Sequence, residues 1–529
     1  LCYESDNSYS ETDCYVSDDY FCMMDDNEGS NLVSSDKADV AVGRISARTA
    51  DEAKTAVDKI ESYLKNEEAG SWQNVVCFMG DDGNQNWHMK DADSVAQSVE
   101  KLYPNLLVKR IMWDAYTRVS SSTGNSYPDV TRLIKQQMQQ GALLFNYSGH
   151  GRADAMSHEY VLSLADFQTA TSMRLPLWVT ASCDIMPFDG QEDNIGEAAF
   201  FNKKGGAIAF YGTTRTVYQS YNRLMNLAFT RYVLSRDDSG RPMPIGEAVR
   251  RTKNELLTTH QDDTTNKLQY TLLGDPALRL AVPTHGIQVD SVNSTPLDNG
   301  TMLTLKAGTK ATVTGRVLGA DGMTASAFNG ILTAVLRDIR EQITCRLNDT
   351  SKDGAEEPFV YYDRPNVVYS GSDSVRNGRF SLTFAVPKDI QYSDLDVQLN
   401  LYAVSTDKTI EANGICNQLA MNGTAEQGQG TAGPNIYCYL NSTAFTNGGS
   451  VNTTPYFVAE VNDEDASTCR AVALGMTCSL SSTVICPRLT RSTTISSLTL
   501  EATQRAGWAI AYPSCPTESI SCSLGHGTS

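Results

Sequence analysis

The chain is 529 residues long, 41% hydrophobic and 20% charged, with a formal net charge of −19. That length accommodates about two to four domains with full cores, and the apolar content excludes a mainly disordered chain. The acidic balance argues against nucleic acid and against an anionic membrane surface as partners, and no apolar run reaches the roughly 18 residues that span a bilayer. The 13 cysteines show neither a CxxC pair nor metal-ligand spacing, so no zinc site, no disulfide framework and no cofactor is expected. The sequence opens at Leu1 without Met and without a signal pattern. It therefore reads as a fragment or a processed product, truncated at its N-terminus, and leaves the compartment open.

In chain order, residues 1–30 are acidic and aromatic, with Asp18, Asp19, Asp25, Asp26 and Glu28. EF-hand spacing is missing, so the reading is a solvated acidic loop rather than a calcium site. From Ala38 the pattern turns β/α. A strand ends at Ala41–Ile45 and a helix covers Ala50–Leu64. The run Asn74–Met79 is the next strand, followed by the loop Gly80–Asn84 and a helix from about Asp91 to Leu102. Leu106–Trp113 is a strand, and the helix Pro128–Gln140 opens on a proline, where the missing N–H costs nothing. The short apolar runs Ala142–Phe145, Leu175–Val179 and Gly206–Tyr211 read as buried strands of a parallel sheet, with helices at Ile195–Phe201, Tyr221–Leu234 and Pro244–Thr258. Strands alternating with helices predict a doubly wound, mostly parallel α/β sheet that closes near Leu280, giving a first domain over 1–282. After Pro283 the texture alternates apolar and polar, as in Met302–Lys306 and Val397–Leu401, with turns at Asp298–Gly300 and Asp321–Gly322. This predicts a β-sandwich over 283–421. A Gly/Ala/Gln/Thr-rich stretch at 422–433 reads as a linker, and a second β domain starts over 434–465.

Two motifs carry the chemistry. Asn146-Tyr147-Ser148-Gly149-His150-Gly151 and Ala181-Ser182-Cys183 each follow one of those buried strands. Ligands of open α/β sheets sit in the crevice at the C-terminal strand ends, so a His and a Cys there are placed to meet. A thiol is only a few per cent ionised at neutral pH, and a nearby imidazole can serve as its base or hold it as thiolate. The glycines beside His150 let the backbone approach a reacting carbonyl, where an N–H can serve an oxyanion. A lone Cys after a strand is more often a small buried hydrophobe, and a lone strand-end His more often structural. The two together, in order, make catalysis the sharper reading.

With Lys204–Ala209 (Lys-Gly-Gly-Ala-Ile-Ala) and Leu273–Leu280 (Leu-Gly-Asp-Pro-Ala-Leu-Arg-Leu), these motifs resemble the gingipain family of caspase-like cysteine peptidases. Within it they resemble the outer-membrane sortases of the type IX secretion system. The resemblance covers roughly residues 15–465. It implies a caspase-like α/β fold followed by immunoglobulin-like β domains, at the outer face of the outer membrane. It implies Cys183 as nucleophile, His150 as general base and acid, and the N–H groups of Gly151 and Cys183 as oxyanion hole. The family's third residue, an acid that orients the histidine, matches best at Asp82, with Asp81 as near alternative. The other reading of that loop is an acidic cap on the following helix. His88 reads as structural or substrate-facing, since one base suffices. The implied partners are protein substrates carrying a C-terminal secretion domain, a surface glycolipid acceptor, and outer-membrane secretion components of the PorV, PorQ or PorZ kind. The competing functions are a secreted peptidase that only hydrolyses proteins, and a non-catalytic surface scaffold or adhesin on a peptidase fold.

The last stretch stands apart. Residues 466–529 hold five of the 13 cysteines and no Asp, Asn or Lys. Plausible codons there, read one nucleotide earlier, spell strings such as GINVSGSG and HDMQLIIDGD, which look like an ordinary β domain. The tail is therefore expected to be frame-shifted, and the second Gly-His-Gly at 525–527 to be no active site.

Overall fold

The computed structural model describes residues 14–424 apart from 123, 298–299, 350–353 and 389. Beyond these it describes only strand backbone, at 435–440, 456–462, 469–474, 478–482, 495–500 and 510–511. The chain divides into two compact units. One holds Leu1–Leu303, Val313–Leu382 and Leu395–Leu419, and the other Thr304–Thr312, Thr383–Asp394 and Ala420–Ser529.

The first unit is built on a six-stranded sheet of β1 (Val75–Gly80), β2 (Leu107–Met112), β3 (Leu144–Ser148), β4 (Leu177–Ala181), β5 (Ala209–Thr213) and β6 (Tyr270–Leu273), in the order β6-β5-β4-β3-β1-β2. Every pairing is parallel except β5 with β6. The helices are α1 (Ala50–Leu64), α2 (Trp87–Leu102), α3 (Pro128–Gln140), α4 (Leu164–Gln168), α5 (Ile195–Phe201), α6 (Gln219–Val233) and α7 (Ile245–Thr258). Strand side chains alternate between two cores. Val76, Phe78, Leu144, Val179 and Tyr211 pack with Val95, Met225 and Phe229 of α2 and α6. Cys77, Met79, Phe145, Trp178 and Phe210 pack with Ile134 and Ala199 of α3 and α5 on the other face. Covering both faces is what a parallel sheet demands, and it is why these strands read as unbroken apolar runs. Trp178 shows the tightness of the second core. It stacks on Phe145 and Phe210 at 4.7 and 6.4 Å and meets Phe167 edge-on at 5.1 Å. Truncating such a side chain to alanine costs about 3–5 kcal/mol.

Local signals account for most helix boundaries. Thr49 and Glu52 form a reciprocal capping box on α1, and Pro128 occupies the first turn of α3. Several details differ from the sequence reading. The helix expected from about Asp91 starts at Trp87, which puts His88 on its first turn. Arg44 makes a single bridge to Leu273 rather than ending a strand. Tyr270–Leu273, to which the pattern assigned no element, is the antiparallel edge strand; its four buried residues are too short a run to show a period.

After Pro283 the chain is built of strands, most of them in one sheet. Its strands are β7 (His285–Val292), β8 (Lys310–Leu318), β9 (Gly330–Arg337), β10 (Glu341–Thr344), β11 (Val360–Asp363), β12 (Val367–Val375), β13 (Arg379–Ala385), β14 (Ser393–Ser405) and β15 (Glu411–Thr424). Seven of them follow one hydrogen-bonded path, β12-β9-β14-β15-β7-β8-β13. In β9 buried and less buried residues alternate, as a half-buried antiparallel strand requires. Within the first unit these strands are bonded to the α/β sheet. Tyr402 donates to Gln73 at 3.0 Å and Asn413 to Asn74 at 2.8 Å, while Arg337 donates to the Val108 carbonyl at 2.9 Å. The hairpin β10–β11 packs Ile343, Cys345, Phe359 and Tyr361 against Met89, Ala92 and Met112.

In the second unit the Gly308 N–H donates to Val386 and the Val386 N–H to Thr309, both at 2.9 Å. The strand expected from Asn435 runs to Leu440 and pairs antiparallel with Tyr456–Asn462. Further strand backbone pairs Tyr456–Leu474 partners and Cys478 with Leu500. The linker reading of 422–433 and the frame-shift reading of 466–529 fall largely outside the described residues.

Candidate active site

The strand order reverses between β1 and β3: the chain leaves β1 to build β2 on one side, and all later strands lie on the other. Loops leaving the C-terminal ends of strands at such a switch point diverge to opposite faces and leave a crevice. Asp81 follows β1, His150 follows β3, and Cys183 follows β4, the next strand along. Cys183, His150 and His88 line one pocket, together with Asn84, Asp91 and Arg223. The sequence expectation that the Cys and the His share a crevice thus holds in this fold.

The turns that carry His150 and Cys183 are packed backbone on backbone. The Gly149 N–H donates to the Ala181 carbonyl at 3.3 Å. A Cβ at Gly151 would stand 2.3 Å from Ser182 Oγ and 3.0 Å from the Cys183 carbonyl. No side chain fits there, which is the physical reason for glycine after His150. Cys183 is partly exposed, whereas Cys77 and Cys345 are buried. Burial pushes both of those thiols up to about 12, so they stay protonated and inert. The Cys183 Sγ lies 3.3 Å from the Val217 carbonyl and accepts from the Val217 N–H at 3.4 Å.

The two neighbouring carboxylates after β1 point into different surroundings. Asp81 Oδ2 accepts from the His150 N–H at 2.7 Å and from the Tyr147 hydroxyl at 3.0 Å. Its Oδ1 is paired with His88 Nδ1 and accepts from the Gly83 N–H at 3.1 Å. Burial alone would raise the Asp81 carboxyl, but the charge and hydrogen bond of His88, with His150, outweigh it and hold the group well below the usual carboxylate range. Asp82 instead accepts from the Tyr127 hydroxyl at 2.5 Å, with Arg118 at 3.9 Å. Burial pushes its carboxyl up to about 6. The residue matched to the family's acid, Asp82, therefore lies among Tyr127 and Arg118, and its near alternative Asp81 is the carboxylate that engages His150. One residue of register separates them, and alternate residues of an extended chain point to opposite sides.

Two further histidines surround His150, and the sequence had singled out only one of them. His88, on the first turn of α2, meets the His150 ring edge-on at 4.8 Å, and His158 stacks on it at 4.2 Å. His150 is held below its ordinary value by burial first, then by His88 and His158, against the opposing pull of Asp81. His158 carries no motif; only the return of the chain after Gly151 brings it back. Among the described residues, Asp25, Glu28 and Asp39 place carboxylate oxygens within 4.8 Å of one another. Asp25 and Glu28 belong to the acidic loop of the sequence reading and Asp39 lies beyond it; Asp18 and Asp19 of that loop are buried in ion pairs with Arg44 and Lys253 rather than solvated. Among the described residues no helix is long and apolar enough to cross a membrane.

No curated protein matches the chain. Among solved structures it is similar to the Arg-specific cysteine proteinase gingipain R (RgpB), at 15% identity and a TM-score of 0.42, covering 77% of this chain and 79% of that one. The complex of the pro- and mature domains of RgpB from Porphyromonas gingivalis gives 15% identity and a TM-score of 0.41, over 77% and 81% of the two chains. Dimeric latent PorU from Porphyromonas gingivalis is 24% identical with a TM-score of 0.31; the match covers 88% of this chain and 37% of PorU. The model of peptidase family C25 matches residues 3–281, more than half of the chain and the whole of the six-stranded sheet, so the chain belongs to this family of gingipain-type cysteine peptidases.

Proposed function

We propose that the protein is a cysteine endopeptidase that transfers its acyl group to an amine, the sortase reading of its motifs. The observation that carries the peptidase chemistry is the shared pocket of Cys183 and His150 at the switch point of the sheet. His150 takes the thiol proton as Cys183 Sγ attacks a backbone carbonyl of the substrate, and the charge that develops on the carbonyl oxygen meets the N–H groups of Gly151 and Cys183. His150 passes a proton to the leaving amine as the C–N bond breaks, leaving a thioester. An incoming amine then loses a proton to His150, attacks the thioester and releases the thiol. Asp81 holds the His150 backbone and, through His88, its ring environment. No metal or organic cofactor is needed for these steps.

The transferase part rests on the motif resemblance to type IX sortases. On that reading the substrate is a protein with a C-terminal secretion domain, and the acceptor is a cell-surface glycolipid. The location is the outer face of the outer membrane, beside secretion components of the PorV, PorQ or PorZ kind. The test is to incubate the protein with such a substrate and an amino-sugar acceptor and to weigh the products. A substrate fragment joined to the acceptor, absent with Cys183→Ala, supports the reading. A free carboxyl terminus alone, whatever the amine concentration, reduces the function to hydrolysis. Cleavage that survives Cys183→Ala would remove the cysteine peptidase reading altogether.

A further inference from the structure

The loop between β1 and α2 has an unusual backbone. Asn84, Gln85 and Asn86 take φ values of 50°, 56° and 65°, three consecutive non-glycine residues in the left-handed region. Such residues are kept only where the surroundings over-determine them, and they gather at functional sites. Here the left-handed run turns the chain back, so that His88 on the first turn of α2 returns to the carboxylate of Asp81. Both nitrogens of His88 are engaged. Nδ1 meets Asp81 Oδ1, and Nε2 stands 3.2 Å from the side-chain amide of Asn84, which can accept from Nε2–H once its carbonyl end faces the ring. His88 is 6% exposed and borders the pocket of Cys183 and His150.

We propose that His88 is a positioning residue for His150: a charged His88–Asp81 pair, in place of a lone carboxylate, sets the orientation and proton affinity of the base. The inference rests on the peptidase reading for its use but not for its test. The geometry gives the reason. A lone carboxylate bonded to the His150 backbone would pull a proton onto its ring, leaving less of the free base at neutral pH. A positive His88 with its ring edge on His150 cancels that field while leaving Asp81 free to hold the backbone. The start of α2 disfavours a cation, so the charge on His88 depends on the acids around it. The charged and titratable groups that face the pair are Asp82 and Asp91, Arg223 of α6 through Asp91 at 3.8 Å, Glu159, whose carboxyl burial, Asp82 and Asp81 push up to about 7, Tyr147, which donates to Asp81, and His150, His158 and Cys183. Burial lowers His88, and Asp81 first, then Asp91 and Asp82, raise it beyond that.

The test follows the imidazole resonances of the full chain by NMR in a Cys183→Ala background. The chain has six histidines, and His150→Ala assigns the one of interest. In His88→Gln the pair loses its positive member, so the midpoint of His150 should rise by about 1 pH unit. Adding Asp81→Asn to that variant removes the uncompensated charge and should bring the midpoint back. No rise in His88→Gln, or a rise that Asp81→Asn does not reverse, overturns the proposal and leaves His88 as structure only. Thermal melting of each variant shows whether it is folded, and Asn84→Ala, which should lower the charged fraction of His88, gives a second and milder route to the same rise. In the parent protein, labelling of Cys183 by a thiol-directed peptide electrophile is measured alongside. If Cys183 does not label, the peptidase reading fails while the His150 titration still decides the role of His88.

Discussion

Asp81 and Asp82 are adjacent in sequence and serve two different regions of the molecule. The Asp81 side is a tight polar nest of His88, Tyr147 and the His150 backbone, bordering the pocket of Cys183. The Asp82 side is a buried seam, where Tyr127 and Arg118 meet the segment that follows β10. Arg118 lies 3.6 Å from Asp349, and Asp114 accepts from the Leu347 and Asn348 N–H groups, both at 2.8 Å. Asn86 donates to the Glu357 carbonyl at 3.3 Å. One carboxylate is charge-compensated and held low; its neighbour is short of compensation and pushed up to about 6. The lesson is that proximity in sequence to a catalytic position says little about role. What a carboxylate does is set by which neighbours its side of the chain meets.

The largest expected effect comes from Asp81→Asn. Turnover should fall on the order of 100-fold or more, towards the floor set by Cys183→Ala, because the change disturbs both the bond that fixes the His150 backbone and the partner of His88. A loss as small as that of Asp82→Asn would erase the difference between the two sides. Gly149→Ala comes next. Its Cβ would lie 2.2 Å from the Tyr147 hydroxyl and 2.6 Å from Asp81 Oδ2, so it wedges the nest apart without touching the seam. We expect on the order of a 10-fold loss or more in kcat/KM, about 1.4 kcal/mol or more of transition-state stabilisation, read by steady-state kinetics.

Asp82→Asn should leave turnover within about 3-fold, a free-energy change below about 1 kcal/mol, and act on stability instead. The folded state holds this proton more tightly than the unfolded chain, whose carboxyl has the ordinary value of 3.8. Ionised Asp82 therefore weakens the fold above pH of about 6, and that penalty fades as the pH falls from 6 towards 3.8. Asparagine removes it, giving about 3 kcal/mol of added stability at pH 7.5 and little at pH 4. Urea unfolding of both proteins at the two pH values checks the sign. The smallest effect is expected of Tyr127→Phe. Losing one hydrogen bond to a charged partner costs about 1.5 kcal/mol above pH 6 and less below it, with activity unchanged. A larger loss of activity than of stability there would mean that the seam feeds the active site after all.

Much of the site was legible from the strand ends. Buried parallel strands are short apolar runs, and the residues just past them, His150 and Cys183, can be read directly because ligands gather there. Gly151 was legible as a glycine with a purpose, though the neighbour that excludes a side chain, Ser182, was not. The choice between Asp81 and Asp82 was not legible. A tight loop with three left-handed residues has no period to read, and the side on which each carboxylate emerges depends on φ values the sequence does not display. His158 was invisible for the same reason: a stacking partner eight positions on is a fact about a loop's return path. The edge strand Tyr270–Leu273 was too short to announce itself.

The sequence by itself determined the α/β class, the β-rich texture after Pro283, the family, and the Cys–His pair, because these follow from local periodicity and from residues whose chemistry is scarce. Only the tertiary structure decided that Asp81 rather than Asp82 bonds the His150 backbone, that two more imidazoles crowd it, and that the hairpin β10–β11 packs on α2 and β2. Those decisions are made by side chains far apart in sequence competing for the same few buried polar partners. That competition is settled by desolvation and geometry together, so it has no trace in any short window of the chain.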